Sequence, residues 1–166
     1  MDNPPQVVLF GSIGGGWREQ HVIPVLEELG VTYYNPTQEH GWTHKSGDIE
    51  AEVMAACETI VMPVNTTTPA FTSLAETGWA ALGCALRNQH LILQIDLDYP
   101  VTLDPSITAS EAGQQLQRAL QHSVTSSRYL VYKHAMAFDH PRLHVVPDVP
   151  AVAAKLREIY QKSNSR

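Results

Sequence analysis

The sequence is short of charge, of cysteine and of long apolar runs. Charged residues make up 17% of its 166 positions and the formal net charge is −6, so an extended basic surface for nucleic acid polymers is not expected. Its two cysteines, Cys57 and Cys84, are too few for a disulfide scaffold, and their apolar neighbours predict buried free thiols. The longest apolar runs fall far below the roughly 18 residues that a membrane span needs, so no membrane partner is expected.

The N-terminus also lacks the features of a secretory signal. Residues 1–6 (Met-Asp-Asn-Pro-Pro-Gln) are polar and acidic, and no basic segment precedes an apolar core. Together with the unpaired cysteines, this start predicts a cytoplasmic protein. The hydrophobic fraction of 43% is that of an ordinary globular chain, and the length predicts a single domain over residues 1–166.

Short apolar strands alternate with amphipathic helices along the chain. The patterns predict strands at residues 6–10, 31–34, 59–64, 91–95 and 143–146, and helices at residues 17–28, 48–57, 74–86, 109–122 and 150–161. Gly30 is the expected end of the first helix, whereas residues 129–132 fit either a helix or a strand. The alternation predicts an α/β fold: a doubly wound, flavodoxin-like or Rossmann-like sheet of five mostly parallel strands, with helices on both faces.

Ligands of such sheets bind beyond the carboxyl ends of the strands. The loops after the first and third predicted strands, residues 11–16 and 65–72, are therefore the first candidates for a site. Residues 11–16 read Gly-Ser-Ile-Gly-Gly-Gly and could present free N–H groups to a phosphate. They lack the Gly-x-Gly-x-x-Gly spacing of a dinucleotide-binding loop and the Lys-Ser/Thr of a P-loop, so neither is predicted.

Glu76 is the most informative single position. It lies near the start of a predicted helix that is apolar almost all round, the kind of helix that packs in an interior or an interface. A carboxylate there loses hydration, which raises its pKa unless partners compensate. Gly78 costs about 1 kcal/mol against alanine inside a helix, which indicates a close approach to the backbone. The structural alternative is a capping box, with Ser73 as the N-cap and Glu76 bonded to its amide.

Several motifs resemble those of the nucleoside 2-deoxyribosyltransferase superfamily. Residues 76–80 (Glu-Thr-Gly-Trp-Ala) resemble its Glu-x-Gly-aromatic-Ala signature, and residues 11–16 are similar to the Gly-Ser-Ile-Arg-Gly-Gly loop of the related 2′-deoxynucleoside 5′-phosphate N-hydrolases. Residues 34–36 (Tyr-Asn-Pro) match an aromatic-(Asp/Asn)-Pro step, and the whole resemblance covers roughly residues 6–95. Two positions depart from it: Val8 stands where the family commonly has a tyrosine, and Gly14 where the hydrolases have arginine.

The resemblance implies that Glu76 is a nucleophile and that a second acid precedes the third strand. Three residues compete for the second role. Glu50 is favoured by its spacing from the strand, Asp48 is the second choice, and Glu52 shares a helix face with Asp48 at i,i+4 spacing. All three also suit a structural role, because acidic residues near a helix N-terminus are stabilised by the helix dipole.

The activity implied by the resemblance is retaining transfer of a 2′-deoxyribosyl group between nucleobases, in nucleoside salvage and without a cofactor or metal. One carboxylate forms a glycosyl–enzyme intermediate, and a second acid protonates the departing base. The catalytic candidates are Glu76, Glu50 and Asp48. The predicted substrate-binding residues are Phe10, Gly11, Ser12, Gly14, Trp17, Asn35, Trp42, Glu52, Asn65 and Ser73. Trp79 is expected in the core, and Trp42 at an exposed or interface position.

Two other functions remain open at this stage. The first is hydrolysis of a 2′-deoxynucleoside or its 5′-phosphate, although the missing arginine at Gly14 favours free nucleosides. The second is a non-catalytic nucleotide-binding module in which Glu76 only caps its helix. His40 and His44 have i,i+4 spacing but no third ligand nearby, so no metal site is predicted. The apolar helix around Gly78 predicts a homo-oligomer, and members of the resembling family assemble their sites across subunits.

Overall fold

Five parallel strands form the centre of the protein. The computed structural model describes residues 3–36 and 41–163. The strands are β1 (Val7–Leu9), β2 (Tyr33–Tyr34), β3 (Thr59–Val64), β4 (His90–Ile95) and β5 (Leu143–Val146). Their order in the sheet is β2-β1-β3-β4-β5. All four neighbouring pairs are parallel. The predicted five-stranded sheet is therefore confirmed, and it is parallel throughout.

Helices cover both faces of the sheet. They are α1 (Ile23–Leu29), α2 (His44–Ala56), α3 (Phe71–Arg87), α4 (Pro105–Thr108), α5 (Glu111–Ala137) and α6 (Val149–Ser163). Alternate strand residues face opposite sides, so Val8 and Ile60 pack with apolar residues of α2, α3 and α5. Val7 and Val61 pack with residues of α1 and α6 on the other side. These two cores confirm the doubly wound α/β fold.

The first helix begins differently from its prediction. A π-helical turn, Arg18–Val22, leads into α1, and the Ile23 N–H donates to the carbonyl oxygen of Arg18. Proline follows in the first turn of α1, and it has no N–H for the carbonyl four residues earlier, so the regular helical pattern is interrupted there. Gly30 ends the helix with a φ of 65°, as predicted.

Other boundaries differ where caps and burial outweigh local pattern. α2 begins at His44 rather than at residue 48, because Thr43 and Ser46 form a capping box. α5 includes residues 129–132, which are helical, and α4 lies in a predicted loop. β3 and β5 match their predicted bounds. Within the described residues, no helix combines the length and the apolar character needed to cross a membrane.

Candidate active site

A cavity of about 690 Å³ lies at the carboxyl edge of β1 and β3. The chain crosses from β1 to β2 on one side and β3 lies on the other, so this is the switch point at which such sheets bind ligands. The cavity is lined by Phe10, Gly11, Ser12, Ile13, Arg18, Pro36, Gly41, Trp42, Glu50, Thr68, Pro69, Ala70, Phe71, Thr72, Ser73 and Glu76. Of the predicted site residues, the structure does not bring the following to the cavity: Asp48, Gly14, Trp17, Asn35, Glu52 and Asn65.

Glu76 does not cap its own helix. α3 begins at Phe71, three residues before the predicted start, and its N-cap is Ala70 in the left-handed conformation with a φ of 57°. Ser73 is therefore the third residue of the helix, is buried, and accepts a bond from Thr77 Oγ1 through its carbonyl oxygen. The capping-box interpretation of Ser73 and Glu76 is wrong, because both residues lie inside the helix, past the position of a cap.

The Glu76 carboxyl group is costly to ionise in this position. Burial, and secondly the negative charge of Glu50, raise its pKa from 4.5 to about 7. Both effects act in the same direction, since a low-polarity environment and a like charge each disfavour the carboxylate form. A pKa near neutrality allows the group to exist in either form under physiological conditions, which is a property of acid–base and nucleophilic groups in active sites.

Glu50 is the member of the acidic cluster that reaches the cavity. It lies on α2 and accepts a hydrogen bond from Trp42 Nε1 at 3.2 Å. Asp48 and Glu52 are exposed and do not line the cavity, because residues two positions away project roughly 160–200° around a helix. Of the three acids that spacing along the sequence left in competition, the structure therefore brings Glu50 alone to the cavity.

The loop after β1, residues 11–16 (the glycine loop), is held against the end of β3. Gly11 has a φ of 101°, and a Cβ atom there would lie 2.3 Å from the carbonyl oxygen of Pro63, so only glycine fits. The Ser12 N–H donates to the same oxygen at 2.8 Å. Ser12 Oγ accepts from the Asn65 N–H at 3.0 Å. Gly11 and Ser12 are thereby fixed at the cavity floor.

Several predicted binding residues support this loop without lining the cavity. Trp17 is only 2% exposed and packs in the core on the α1 side, although its Nε1 donates to the carbonyl oxygen of Ser12. Asn65 Nδ2 donates to the carbonyl oxygen of Gly14 at 3.3 Å, outside the cavity lining. The prediction that Trp17 binds the substrate is therefore not supported by its position, because apolar packing retains the ring in the interior.

The structure also shows the positions of Val8, Trp42 and Trp79, of which only Trp79 departs from its expectation. Val8 is fully buried, and its partner in β2 is Tyr34, whose pKa is raised by burial and by the Glu50 charge. Trp42 is 63% exposed and lines the cavity, as its predicted exposed position implies. Trp79 is 68% exposed, so its expected core position is wrong. Its side chain lies on the outer face of α3.

Arg18 is a cavity residue that the sequence analysis missed. It is 2% exposed, and its guanidinium donates to the carbonyl oxygens of Leu9 and Ser12. It also lies over the Trp17 ring at 4.2 Å. Burial lowers its pKa to about 10, which leaves it charged at neutral pH. Neither ion pair found among the described residues involves Arg18. A single arginine in a polar stretch gives no sequence signal of such burial.

The cavity therefore combines two carboxyl groups, one buried cation and an apolar wall. No group of three or more potential metal-ligating side chains occurs in the part of the chain that the structure describes, and His40 lies outside that part. Comparison of the sequence with models of known protein families and with curated proteins gives no match. The chemistry of the site must therefore be inferred from its own residues.

Proposed function

We propose that this protein transfers a 2′-deoxyribosyl group between nucleobases, as the motifs resembling the nucleoside 2-deoxyribosyltransferase superfamily imply. The observation that carries the proposal is that Glu76 and Glu50 line one cavity and interact electrostatically. Paired carboxyl groups flanking a glycosidic bond are the machinery of retaining glycosyl transfer. A cavity of about 690 Å³ also lies within the usual range for small-molecule sites.

In the proposed reaction, each carboxyl group has one role. The Glu76 carboxylate attacks C1′ of the deoxyribose, and the glycosidic electron pair leaves with the base as Glu50 donates a proton to it. An acceptor base then attacks C1′ of the glycosyl–enzyme intermediate, Glu50 takes back a proton, and Glu76 departs as a carboxylate. Trp42, which is exposed at the cavity and donates a hydrogen bond to Glu50, would stack on the base.

The proton of the carboxyl pair must change position during this reaction. In the free protein the raised pKa favours the protonated form of Glu76, whereas attack on C1′ requires Glu76 ionised and departure of the base requires a proton on Glu50. The proposal therefore requires that bound substrate shifts the proton to Glu50, leaving Glu76 ionised against the sugar.

The direct test is the covalent intermediate. After incubation with a 2′-deoxynucleoside, intact-mass and peptide mass spectrometry should find a deoxyribosyl adduct on Glu76. Glu76→Gln should abolish the adduct while retaining the fold, and Glu52→Gln, at an exposed acid of α2, should retain it. An adduct on another residue, or turnover without any adduct in a quenched reaction, would count against Glu76 as the nucleophile.

One observation favours a second candidate, hydrolysis of a 2′-deoxynucleoside 5′-phosphate. The glycine loop has Gly14 where the resembling hydrolases have arginine, but Arg18 supplies a cation at the cavity wall. Arg18 is 2% exposed and takes part in neither ion pair found among the described residues. Turnover of deoxynucleosides and their 5′-monophosphates, with and without an added base, separates the two reactions. The transferase proposal fails if base exchange never exceeds hydrolysis. A non-catalytic module predicts no turnover of either substrate, but the helix-capping role that it assigns to Glu76 is absent.

We also propose that two copies associate through α3. A stripe along its exposed side consists of Phe71, Ala75, Trp79, Leu82 and Leu86 and contains no charged residue, although Arg87 is exposed beside it in the last turn. Stripes of this kind usually mark interfaces. A Cβ atom at Gly78 would meet nothing within 4 Å among the described residues. No close approach among those residues therefore accounts for a glycine, which destabilises a helix interior relative to alanine. An uncharged stripe suits self-association of a molecule whose net charge is −6.

Cytoplasmic location remains part of the proposal. Cys57 and Cys84 are both free and buried, as predicted. Burial raises the pKa of the Cys57 thiol to about 12 and that of Cys84 to about 11, so neither thiol is reactive at neutral pH. Two such thiols fit a reducing compartment.

A further inference from the structure

A second buried arginine lies beside the cavity without touching it. Arg128 is on α5, is fully buried, and donates hydrogen bonds to the carbonyl oxygens of Val64, Asn65, Thr68 and Asp96. The distances run from 2.6 Å, to Asp96, up to 3.4 Å, to Val64. One guanidinium therefore joins the carboxyl end of β3, the residue after β4 and the segment that follows β3.

Two of these acceptors belong to residues 65–70, which we call the wall loop. Thr68, Pro69 and Ala70 of this loop line the cavity, and Ala70 is the left-handed N-cap of the helix that carries Glu76. A non-glycine residue in that conformation is under strain and persists only where its surroundings hold it. The conformation of the wall loop at Ala70 therefore depends on contacts from the surrounding structure.

The wall loop in turn holds the glycine loop. The Asn65 N–H donates to Ser12 Oγ at 3.0 Å, and Thr67 Oγ1 donates to the carbonyl oxygen of Ile13 at 3.1 Å. Both Ser12 and Ile13 line the cavity. A continuous set of contacts therefore runs from Arg128 through the wall loop to the opposite wall of the cavity.

Arginine suits this position for a geometric reason. The planar guanidinium presents donors in a fixed fork, which can satisfy several carbonyl oxygens at once, whereas an ammonium group is a single point. Its Nε has no hydrogen-bond partner among the described residues. The Tyr99 ring lies 5.0 Å from the guanidinium carbon. The hydrogen bonds of the guanidinium shown among the described residues all go to backbone carbonyl oxygens, and the charge of the nearby Asp96 also acts on it.

We propose that Arg128 is a positioning residue for the cavity, fixing the wall loop and through it the start of α3 and the glycine loop. Its effect on turnover rests on the proposed function, but its effect on the loop does not. The test is hydrogen–deuterium exchange by mass spectrometry on the full chain, comparing Arg128→Met and Arg128→Lys with the wild type. Arg118→Met is the matched control, at an exposed arginine of the same helix.

The expected result is local. Amides of residues 65–72 should exchange at least about tenfold faster in both Arg128 variants, and peptides from β1 and α6 should retain wild-type protection. The Arg118 variant should exchange like the wild type. Because lysine retains the charge but not the fork, failure of Arg128→Lys to restore protection identifies the geometry, rather than the charge, as the cause.

Two results would overturn the inference. Unchanged exchange in residues 65–72 would show that the loop holds itself, and uniform loss of protection in both Arg128 variants would assign Arg128 to the core as a whole. In the proposed reaction, a loosened wall should lower kcat/KM at least tenfold, whereas the Arg118 variant should match the wild type. If the loop loosens but the wild type transfers no deoxyribose, the proposed function fails and the positioning role stands.

Discussion

At the scale of single residues, the ionisation of Glu76 opposes folding. Its pKa is about 7 in the folded protein against 4.5 when unperturbed, so the folded state binds the proton more tightly. The contribution of Glu76 to stability is then greatest below pH 4.5 and falls as the pH rises towards and through 7. Most of that loss should appear between these two values.

Glu76→Gln should remove this dependence. The neutral amide avoids the ionisation penalty, so the variant should be more stable than the wild type by about 1–2 kcal/mol near pH 8, after allowance for solvent screening of a partly exposed group. Near pH 4 the two proteins should be equal, because the wild-type carboxyl group is then protonated. Urea unfolding at both pH values measures the difference. An equal offset at both values would show that packing, rather than charge, is responsible.

The Glu50 charge should also affect the pH dependence of kcat/KM. If Glu76 is the nucleophile, kcat/KM for a deoxynucleoside of 7-methylguanine should rise with pH through a midpoint near 7, because its base leaves without protonation and the reaction then needs only the ionised Glu76. Glu50→Gln removes the like charge and should move that midpoint to lower pH, although burial should still hold it above 4.5. With this substrate the shift is separated from loss of the proton donor. A rate that falls with rising pH for this substrate would count against Glu76 as the nucleophile.

Residue roles were predictable to different degrees. The signature around Glu76 singled out a carboxylate that the structure places in the cavity with a raised pKa. Spacing left Glu50 and Asp48 in competition, since choosing between them needs the rotation of α2. Arg18 and Arg128 could not be predicted, because burial of a charged side chain depends on backbone carbonyls from distant segments.

At the scale of elements, the start of α3 shows a limit of sequence patterns. Ser73 and Glu76 match the sequence pattern of a capping box, but the helix begins at Phe71, two residues before Ser73. The cause is Ala70, which adopts a positive φ without the glycine or asparagine that would have indicated it. By contrast, β3 matched its prediction because six buried residues in succession leave little ambiguity.

Gly11 of the glycine loop and Gly30 at the end of α1 allow a matched pair of substitutions. Gly11→Ala should destabilise the protein by about 3 kcal/mol or more, because its Cβ would lie 2.3 Å from the Pro63 carbonyl oxygen and its φ is 101°. Gly30→Ala has a positive φ of 65° but no atom within 4 Å of the new Cβ, so only the conformational cost of about 1–2 kcal/mol applies. Chemical denaturation of both variants measures the difference. Equal losses would mean that the close contact at Gly11 relaxes readily.

At the scale of the whole molecule, the alternation of strands and helices was enough to predict the sheet and the edge at which its cavity lies. Right-handed crossovers between parallel strands leave few arrangements of five strands, and the carboxyl edge at a switch point is the usual ligand site. The extent of α5 was not predictable from local pattern. Its buried residues Val124, Arg128 and Ala135 recur at helical spacing on both sides of residues 129–132, the segment whose sequence fitted either a helix or a strand.

The proposed self-association through α3 can be tested by a single substitution. Leu86 is 74% exposed in the last turn of α3, where a cation is favoured by the helix dipole, so Leu86→Arg should leave the isolated chain stable. In an interface, the same arginine would be desolvated without a partner. We expect it to weaken association more than about a hundredfold, equivalent to roughly 3 kcal/mol.

Sedimentation equilibrium of the wild type and of Leu86→Arg measures this constant, with Leu116→Arg as the control at a leucine that is 49% exposed on α5. A monomeric wild type would remove the α3 interface altogether. Equal weakening by the two arginines would place the contact on α5 as well. Phe71 lies on the exposed stripe of α3 and also lines the cavity, so a partner bound to the stripe would lie at the cavity wall. Dilution below the dissociation constant should therefore reduce turnover per chain, and Leu86→Arg should show that reduction at every concentration.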